Sequence, residues 1–244
     1  KYLCIHGHFY QPPRENPWLE VVEAQDSAAP FHDWNARITA ECYAPNAAAR
    51  LLGPKGHISK IINNYEYMSF NFGPTLLSWL AAQAPEVHQA LVAADQRSAA
   101  RLGQGNAVAQ VYNHLIMPLA SRRDKLTQIR WGIQDFRHRF SREPRGMWLA
   151  ETAADLETLA CLAEENIAFT ILSPHQAARV RPPEGAWQEV AGGRVETRRP
   201  YWVRLPGGRR LAVFFYHGPA SQAVTFEHLL DDGARLAARL KAMH

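Results

Sequence analysis

The sequence predicts an α/β fold in which parallel strands alternate with helices. Short apolar runs recur along the chain, and most are followed by a polar loop bearing glycine or proline and then by a segment with helical periodicity. This order favours a parallel α/β arrangement over a β-sandwich or a helix bundle. The length of 244 residues suits one α/β barrel, and no linker or internal repeat divides it, so we expect a single domain over residues 1–244.

Seven apolar segments are predicted as strands. The first opens into a proline-bearing loop, and the last two are joined by an LPGG turn, which is typical of a hairpin. The segment between the fifth and sixth strands, 181–193, is rich in proline, glycine and charge and is predicted as a loop. The predicted strands cover residues 2–5, 68–72, 108–111, 147–151, 168–172, 199–203 and 210–216.

Five segments are predicted as helices. One begins just after Pro74, because proline suits the first helical turn. The others cover 86–101, 123–140, 155–166 and 225–243. In 155–166 the inner face includes Leu156, Leu159 and Leu162. In 123–140 the apolar side chains fall on one face at helical spacing, namely Ile129, Ile133, Phe136 and Phe140.

Composition excludes several classes of protein. Hydrophobic residues make up 47% and charged residues 20% of the chain, which excludes disorder and collagen-like structure. No apolar run reaches the roughly 18 residues of a membrane span, so no membrane partner is expected. The 27 basic and 23 acidic residues give a net charge of +4. The basic clusters are interspersed with acidic residues, so they are predicted to be solvated surface, with no nucleic-acid partner.

Cysteine usage and the first residues bear on the cellular compartment. The chain has three cysteines and no CxxC pair, which argues against a disulfide framework and against a structural zinc site. Cys4 and Cys161 lie in apolar stretches and are predicted to be small core residues. The N-terminus lacks the charged-then-apolar pattern of a secretory signal peptide. We therefore expect a cytoplasmic protein.

Two histidines and two other polar residues follow the first predicted strand. In His6-Gly7-His8 both imidazoles fall on one face of an extended chain, and Tyr10 and Gln11 come next. Such a group can bind a metal ion or hold the hydroxyl groups of a polar substrate. Alternatively, one imidazole caps a backbone group and the other faces solvent.

Two further clusters stand at predicted strand ends. His114 precedes an apolar run and is either functional or a satisfied core histidine. Glu151 ends the apolar segment GMWLAE, where a carboxylate is costly unless it is hydrogen-bonded or functional, and Trp148 offers a flat apolar face for a sugar ring. Alternatively, Glu151 is the N-cap or first-turn acid of the next helix. Tryptophans in predicted loops, Trp34 among them, suit a carbohydrate ligand.

Several of these segments together resemble a known family. HGHFYQPP, AQVYNHLIMPL and RGMWLAET are similar to segments of glycoside hydrolase family 57. SFNFGPTLL and FFYHGPASQAVTFEHLL stand where a poorly characterised branch of that family, one containing a domain of unknown function, has similar segments. The resemblance covers nearly the whole chain and implies an incomplete (β/α)7 barrel. Characterised members are longer, so we expect this chain to be truncated at its C-terminus.

The resemblance implies a retaining hydrolase or transglycosylase that acts on α-glucans and needs no metal or other cofactor. Glu151 matches the family nucleophile, and Trp148 matches the aromatic residue before it. His8 and Gln11 match the region that lines the donor subsite, and His114 matches a family histidine. With these we group His6, Asp33 and Trp34 as substrate-binding residues.

The second catalytic carboxylate of the family pattern is missing. A retaining mechanism needs an acid and base roughly 5 to 5.5 Å from the nucleophile, and the family supplies an aspartate in a segment like FRDxxLSD. Laid against FFYHGPASQ, the two aspartates of that pattern become His217 and Gln222. His217 is one candidate for the acid. Carboxylates elsewhere are the alternatives: Asp33, Glu41 and Glu227.

Three functions are therefore open at this point. The leading hypothesis is a retaining α-glucan enzyme with a covalent intermediate on Glu151. The second is a catalytically impaired glucan-binding protein. The third is a metal-dependent carbohydrate deacetylase in which His6, His8, Asp33 and His114 assemble a metal site. All three predict a carbohydrate partner and leave the oligomeric state open.

Overall fold

The computed structural model describes residues 2–243, so the ends of the predicted domain, Lys1 and His244, lie outside the described residues. The strands are β1 His6–Phe9, β2 Glu15–Asn16, β3 Val21–Val22, β4 Ala49–Leu52, β5 Ile58–Ile62, β6 Ser69–Phe72, β7 Ala109–Gln110, β8 Met147–Trp148, β9 Phe169–Leu172, β10 Arg179–Val180, β11 Gln188–Glu189, β12 Tyr201–Arg204 and β13 Arg210–Phe215. The α-helices are α1 Trp34–Ile38, α2 Ala44–Ala47, α3 Pro74–Gln83, α4 Pro85–Leu102, α5 Arg122–Phe140, α6 Leu156–Glu164, α7 Gly218–Phe226 and α8 Gly233–Ala242.

Six of these strands run parallel in the order β1, β6, β7, β8, β9, β13. Regular ladders join β1 to β6, β7 to β8 and β9 to β13. Single parallel bridges, Phe70 with Ala107 and Gly146 with Phe169, connect these pairs. β12 pairs antiparallel with β13 across the predicted LPGG turn. The α/β prediction is therefore confirmed, and the helices α3 to α6 lie between successive parallel strands in the chain.

The two faces of this strand array differ in polarity. Alternate strand residues point to opposite faces, and partners in a parallel ladder share a face. One face packs against the helices and forms the main hydrophobic core, which includes Phe70, Phe72, Ala109, Met147, Leu149, Leu172, Leu211 and Val213. The opposite face carries His6 and His8 on β1, Asn71 on β6 and Gln110 on β7. The polar residues of these strands are therefore gathered on one side.

Four of the predicted helices form close to their expected bounds. Pro74 begins α3 as predicted. The helices α4 and α5 contain the predicted segments 86–101 and 123–140 and extend them by one or two residues. The four residues predicted on the inner face of α5 are all buried. Asp155 caps α6 by accepting a hydrogen bond from the Thr158 backbone N–H. Leu156 is an exception, since it is 69% exposed at the first position of α6, before the helix reaches the core.

The two ends of the chain differ from the predictions. The first strand is His6–Phe9 and not residues 2–5, because the residues paired with β6 begin at His6, and before it the Ile5 carbonyl accepts a hydrogen bond from Ser69 N. Cys4 is accordingly exposed, whereas Cys161 is buried as predicted. The single helix predicted over 225–243 is wrong, because His228 has a left-handed backbone and Asp232 caps a new helix.

Two smaller observations complete the fold. The predicted loop 181–193 contains β11, which forms a short hairpin with β10. Among residues 2–243, the helices include none with both the length and the hydropathy required to cross a bilayer.

Gly132 marks the closest approach of α5 to the strands. A Cβ atom there would collide with the backbone carbonyl oxygen of Gln110 on β7. We expect Gly132→Ala to lower the free energy of unfolding by about 1–3 kcal/mol, because a backbone atom cannot move aside without disturbing the β7–β8 ladder. Gly218→Ala is the matched control, since nothing lies within 4 Å of a Cβ at that position. Chemical denaturation of both variants tests this, and equal stability of the two contradicts it.

Candidate functional site

Five aromatic rings stack over the polar face of the strands, close to the ends of β1 and β8. We call His6, His8, Tyr10, His114 and Trp148 the ring cluster. The Trp148 ring lies 5.2 Å from that of His6 and 4.5 Å from that of His8, measured between centroids. The Tyr10 and His114 rings are 3.8 Å apart, and His8 and His114 are 5.5 Å apart. The cluster thus joins residues from the first 10 positions to residues beyond 110.

A network of side-chain hydrogen bonds lies beneath the rings. The Asn71 Nδ2 donates to Gln110 Oε1 at 2.7 Å and to His8 Nδ1 at 2.9 Å. The Asn71 Oδ1 lies 3.1 Å from His6 Nε2, and Ser69 Oγ lies 2.9 Å from His6 Nδ1. These residues meet because β1 pairs with β6 in a register that places His6 beside Ser69 and His8 beside Asn71.

Burial keeps the imidazoles of the ring cluster neutral. Desolvation lowers the pKa of His6 and of His8 to about 4, although the hydrogen bond to Asn71 opposes this shift in both. Burial also lowers the pKa of His114, and the negative charge of Glu151 opposes it there. The pKa of Tyr10 is raised by burial and then by Glu151. The carboxylate of Glu151 therefore acts electrostatically on two members of the cluster.

Glu151 occupies a strained turn that directly follows β8. Its φ is 52° and that of Thr152 is 53°, in the left-handed region that residues with side chains rarely adopt. The turn is held by hydrogen bonds from Thr152 N to Leu149 O at 3.0 Å and from the Gln176 side-chain amide to Thr152 O. Such strain persists where surrounding contacts impose it, and it is frequent at functional sites. The N-cap of α6 is Asp155, so Glu151 does not cap that helix.

Three polar atoms of the site are buried and have no hydrogen-bond partner within the described chain. They are Gln110 Nε2, His114 Nε2 and Trp148 Nε1. A buried polar atom without a partner costs about 1–3 kcal/mol, and an ordered water is the usual partner of such an atom. The arrangement of aromatic faces, N–H donors and one carboxylate suits a polyhydroxylated ligand.

Sequence reasoning missed Asn71 and Gln110 as site residues. Each is almost fully buried, at 1% and 3% exposure, and each interrupts an otherwise apolar strand segment. A single amide in the pattern SFNF or VAQV was the available signal, because burying an amide is costly unless its hydrogen bonds are made. Tyr10 was noted beside the histidines, and the structure places its ring against His114.

The predicted residues of the early loop have local partners instead. Gln11 bonds the Tyr43 hydroxyl at 3.4 Å and the Arg14 guanidinium at 2.7 Å. Asp33 is buried as the N-cap of α1, and its second carboxylate oxygen lies 2.9 Å from His32 Nδ1. Trp34 donates its ring N–H to Ser27, and a guanidinium covers its ring. The hydrogen bonds of these three side chains are therefore made outside the ring cluster.

His217 follows β13 and caps α7. Its Nδ1 accepts a hydrogen bond from the Ala220 backbone N–H at 3.1 Å. Gln222 is exposed on the same helix. The two positions laid against the family aspartates therefore serve as a helix cap and as a surface residue.

The metal site considered for the third hypothesis does not assemble. Among residues 2–243, no three side chains of the types His, Cys, Asp or Glu are grouped closely enough to hold a metal ion. Asp33, which that hypothesis required beside the histidines, is engaged by His32 and by the backbone of α1. The histidines instead bond the neutral amide of Asn71.

Comparison with known proteins identifies the family. A sequence profile described as Glycosyl hydrolase family 57 matches residues 5–244. The chain belongs to this family. Alpha-amylase 1 of Dictyoglomus thermophilum is 28% identical over 147 residues, which are 60% of this family 57 chain and 19% of the amylase. The resemblance inferred from the sequence motifs is thereby confirmed at the level of the family.

Solved structures share the fold of the family 57 chain. A 4-alpha-glucanotransferase from Thermococcus litoralis superposes with a TM-score of 0.61 at 17% identity, over 91% of this chain and 29% of that one. An exo-type maltose-forming amylase from Pyrococcus sp. ST04 gives 0.60 at 15% identity, over 93% of this chain and 36% of that one. The chain therefore spans about a third or less of the length of these relatives.

The positive φ of Glu151 predicts that glycine is more stable than alanine at this position, which is the reverse of their order inside a helix. At a φ of 52°, glycine is free of the Cβ strain that alanine suffers, so Glu151→Gly should be more stable than Glu151→Ala by about 1 kcal/mol. Gln96, exposed inside α4, is the matched control, because in an ordinary helix Gln96→Gly should be less stable than Gln96→Ala by a similar amount. Thermal unfolding of the four variants tests this, and the same order at both sites refutes it.

The buried histidines predict acid sensitivity of the fold. Because the folded-state pKa of His6 and His8 is about 4 and the ordinary value is 6.5, the unfolded chain binds more protons between these values. Stability should therefore fall as the pH drops from 6.5 toward 4, by up to about 1.4 kcal/mol per pH unit for each histidine. The free energy of unfolding, measured across this pH range, should fall less steeply with decreasing pH in the double variant His6→Gln/His8→Gln than in the wild type. His57→Gln, at an exposed position, should keep the wild-type slope.

Proposed function

We propose that this chain forms the catalytic barrel of a family 57 enzyme that cleaves or transfers α-glucosyl groups, with Glu151 as the nucleophile. One observation carries the proposal: the Glu151 backbone lies at positive φ directly after β8, and the charge of its carboxylate acts on Tyr10 and His114 of the ring cluster. The α-glucan class is supported by the names of the amylase and glucanotransferase relatives.

The architecture belongs to the same proposal. The six parallel strands would form an incomplete (β/α)7 barrel over residues 5–244, with the polar face as its interior. The branch of the family that contains a domain of unknown function is part of the proposal too, on the strength of SFNFGPTLL and FFYHGPASQ. We also propose a cytoplasmic protein, in keeping with three free cysteines.

The proposed reaction proceeds in two displacements. A Glu151 carboxylate oxygen attacks the anomeric carbon and forms a glycosyl ester while the glycosidic C–O bond breaks and the leaving oxygen takes a proton from an acid. Water or a sugar hydroxyl then attacks the same carbon, releases Glu151 and returns its proton to that acid. The Trp148 ring would hold the sugar during both steps.

We propose His217 as the acid and base only in a form in which its Nδ1 no longer accepts the Ala220 N–H and so no longer caps α7. Because Nδ1 accepts the Ala220 N–H, the neutral ring carries its proton on Nε2 and is a weak acid. Donation from an imidazolium requires a proton on Nδ1 as well, which breaks that bond and places a positive charge at the N-terminus of α7. Three other carboxylates are the alternatives. Asp33 is buried as the N-cap of α1, Glu41 is paired with Arg37, and Glu227 is exposed.

A second candidate is a glucan-binding protein without turnover. Within residues 2–243, Glu151 is the one carboxylate whose charge shifts the pKa of a residue in the ring cluster. A retaining mechanism needs two carboxyl groups or an equivalent acid. The absence of a second such charge favours this candidate, although the aromatic faces and N–H donors would still hold a sugar.

A single-turnover assay with an activated α-glucoside separates the two candidates. If Glu151 is the nucleophile, the wild type releases aglycone and Glu151→Gln does so at least about 10³-fold more slowly, because the covalent step is lost. Glu189→Gln, an exposed carboxylate on β11, is the control and should match the wild type.

The remaining outcomes are distinct. An unchanged rate for Glu151→Gln would show that the nucleophile is elsewhere. No release by either protein, with both retarded on an amylose affinity gel, identifies the binding protein.

A further inference from the structure

The side chain of Asn71 lies at the centre of the site and uses both amide N–H groups and its carbonyl oxygen in hydrogen bonds. Asn71 is 1% exposed on β6. One amide N–H reaches Gln110 Oε1 at 2.7 Å and the other reaches His8 Nδ1 at 2.9 Å. The carbonyl oxygen faces His6 Nε2 at 3.1 Å. A single buried amide therefore contacts both histidines of β1 and the amide of β7.

These contacts assign the proton on each imidazole. His8 Nδ1 accepts from an N–H of Asn71, so the neutral His8 ring carries its proton on Nε2. The longer approach of His8 Nδ1 to Asn71 Oδ1, 3.3 Å, does not compete with this bond. His6 donates from Nε2 to Asn71 Oδ1, and its Nδ1 then faces the Ser69 hydroxyl, whose oxygen lies 2.9 Å from this nitrogen and 3.3 Å from Ile5 O. Both histidines are thus Nε2–H tautomers.

The tautomer decides what His8 offers to a ligand. With Nδ1 engaged by Asn71, the remaining ring atom of His8 is an N–H donor. Gln110 Nε2 and Trp148 Nε1 also lack partners in the described chain, but both atoms are buried and do not face open space. His8 Nε2–H is therefore the neutral donor that this network directs to a ligand.

We propose that Asn71 is a positioning residue that holds the protons of His6 and His8 on Nε2, so that His8 presents an N–H donor to an oxygen atom of a neutral sugar. The identity of the ligand rests on the proposed function, whereas the tautomers do not. An oxygen-rich, uncharged ligand satisfies such donors, and a cationic ligand does not.

Asn71→Asp separates the proton arrangement from the shape of the side chain. Aspartate keeps the size of asparagine but has no N–H, so it accepts where Asn71 donated. His8 should then place a proton on Nδ1 to bond the carboxylate, and its titration midpoint should rise above the wild-type value of about 4. The other titratable groups that face His8 are unchanged in this variant: His6, Tyr10 and His114.

The decisive measurement is ¹⁵N-edited NMR of the imidazole nitrogens in the full chain without ligand. We expect an Nε2–H pattern for both His6 and His8 in the wild type, and a proton on His8 Nδ1 in Asn71→Asp. Asn64→Asp is the matched control, because Asn64 bonds Asn46 outside the ring cluster, and it should leave both histidine patterns unchanged.

The wild-type spectrum alone tests the assignment, even if Asn71→Asp does not fold. A proton on His8 Nδ1 in the wild type overturns the proposal, and so does an unaltered His8 pattern in a folded Asn71→Asp.

Affinity for maltotriose then tests the ligand. Measured at a pH above the His8 titration midpoint of the variant, where His8 is neutral and its proton is on Nδ1, loss of the Nε2–H donor should weaken binding on the order of tenfold in Asn71→Asp, as expected for one hydrogen bond. If the tautomers are as predicted but neither wild type nor variant binds or cleaves a maltooligosaccharide, the proposed function fails and the role of Asn71 in positioning the protons stands. If maltotriose binds equally to both proteins, the assignment of His8 as a donor to the sugar is wrong.

Discussion

The register between parallel strands is the constraint on which the rest of the structure depends. Backbone hydrogen bonds pair His8 with Asn71 and Phe9 with Phe72, and the next strands continue the same alternation. A slip of one residue would turn Phe72 toward the ring cluster and Asn71 toward the helices. The apolar core and the polar site are therefore two consequences of one pairing, and neither can change without the other.

The polar face is stable because its groups satisfy one another. Asn71 bonds two imidazoles and one amide, so the cost of burying these groups is largely offset within the cluster. The burial that lowers the pKa of His6 and His8 also removes the repulsion that two adjacent imidazolium ions would suffer. Three buried polar atoms of the site stay without partners in the described chain, on Gln110, His114 and Trp148. Their burial costs stability.

Helices were easier to predict from the sequence than strands, for a physical reason. In α3 to α6 the apolar residues repeat over many turns, and proline, serine or aspartate marks several of the starts. The parallel strands are two to six residues long, and their bounds depend on a partner far away in the chain. Residues 2–5 show this, since they have a strand-like composition but the ladder with β6 begins at His6. At the other end, a helical composition over 225–243 concealed the break at His228.

The sequence by itself determined the α/β class, the membership of family 57 and the residue types from which the site is built, because these follow from local periodicity and from motifs such as HGHFYQPP and GMWLAET. Only the tertiary structure decided which polar residues share one space. It brings His6, His8, His114 and Trp148 together with Asn71 and leaves Asp33 and Trp34 with local partners. The reason is that contacts between β1 and β6 join residues more than 60 positions apart, and such contacts are set by strand register and core packing rather than by local spacing.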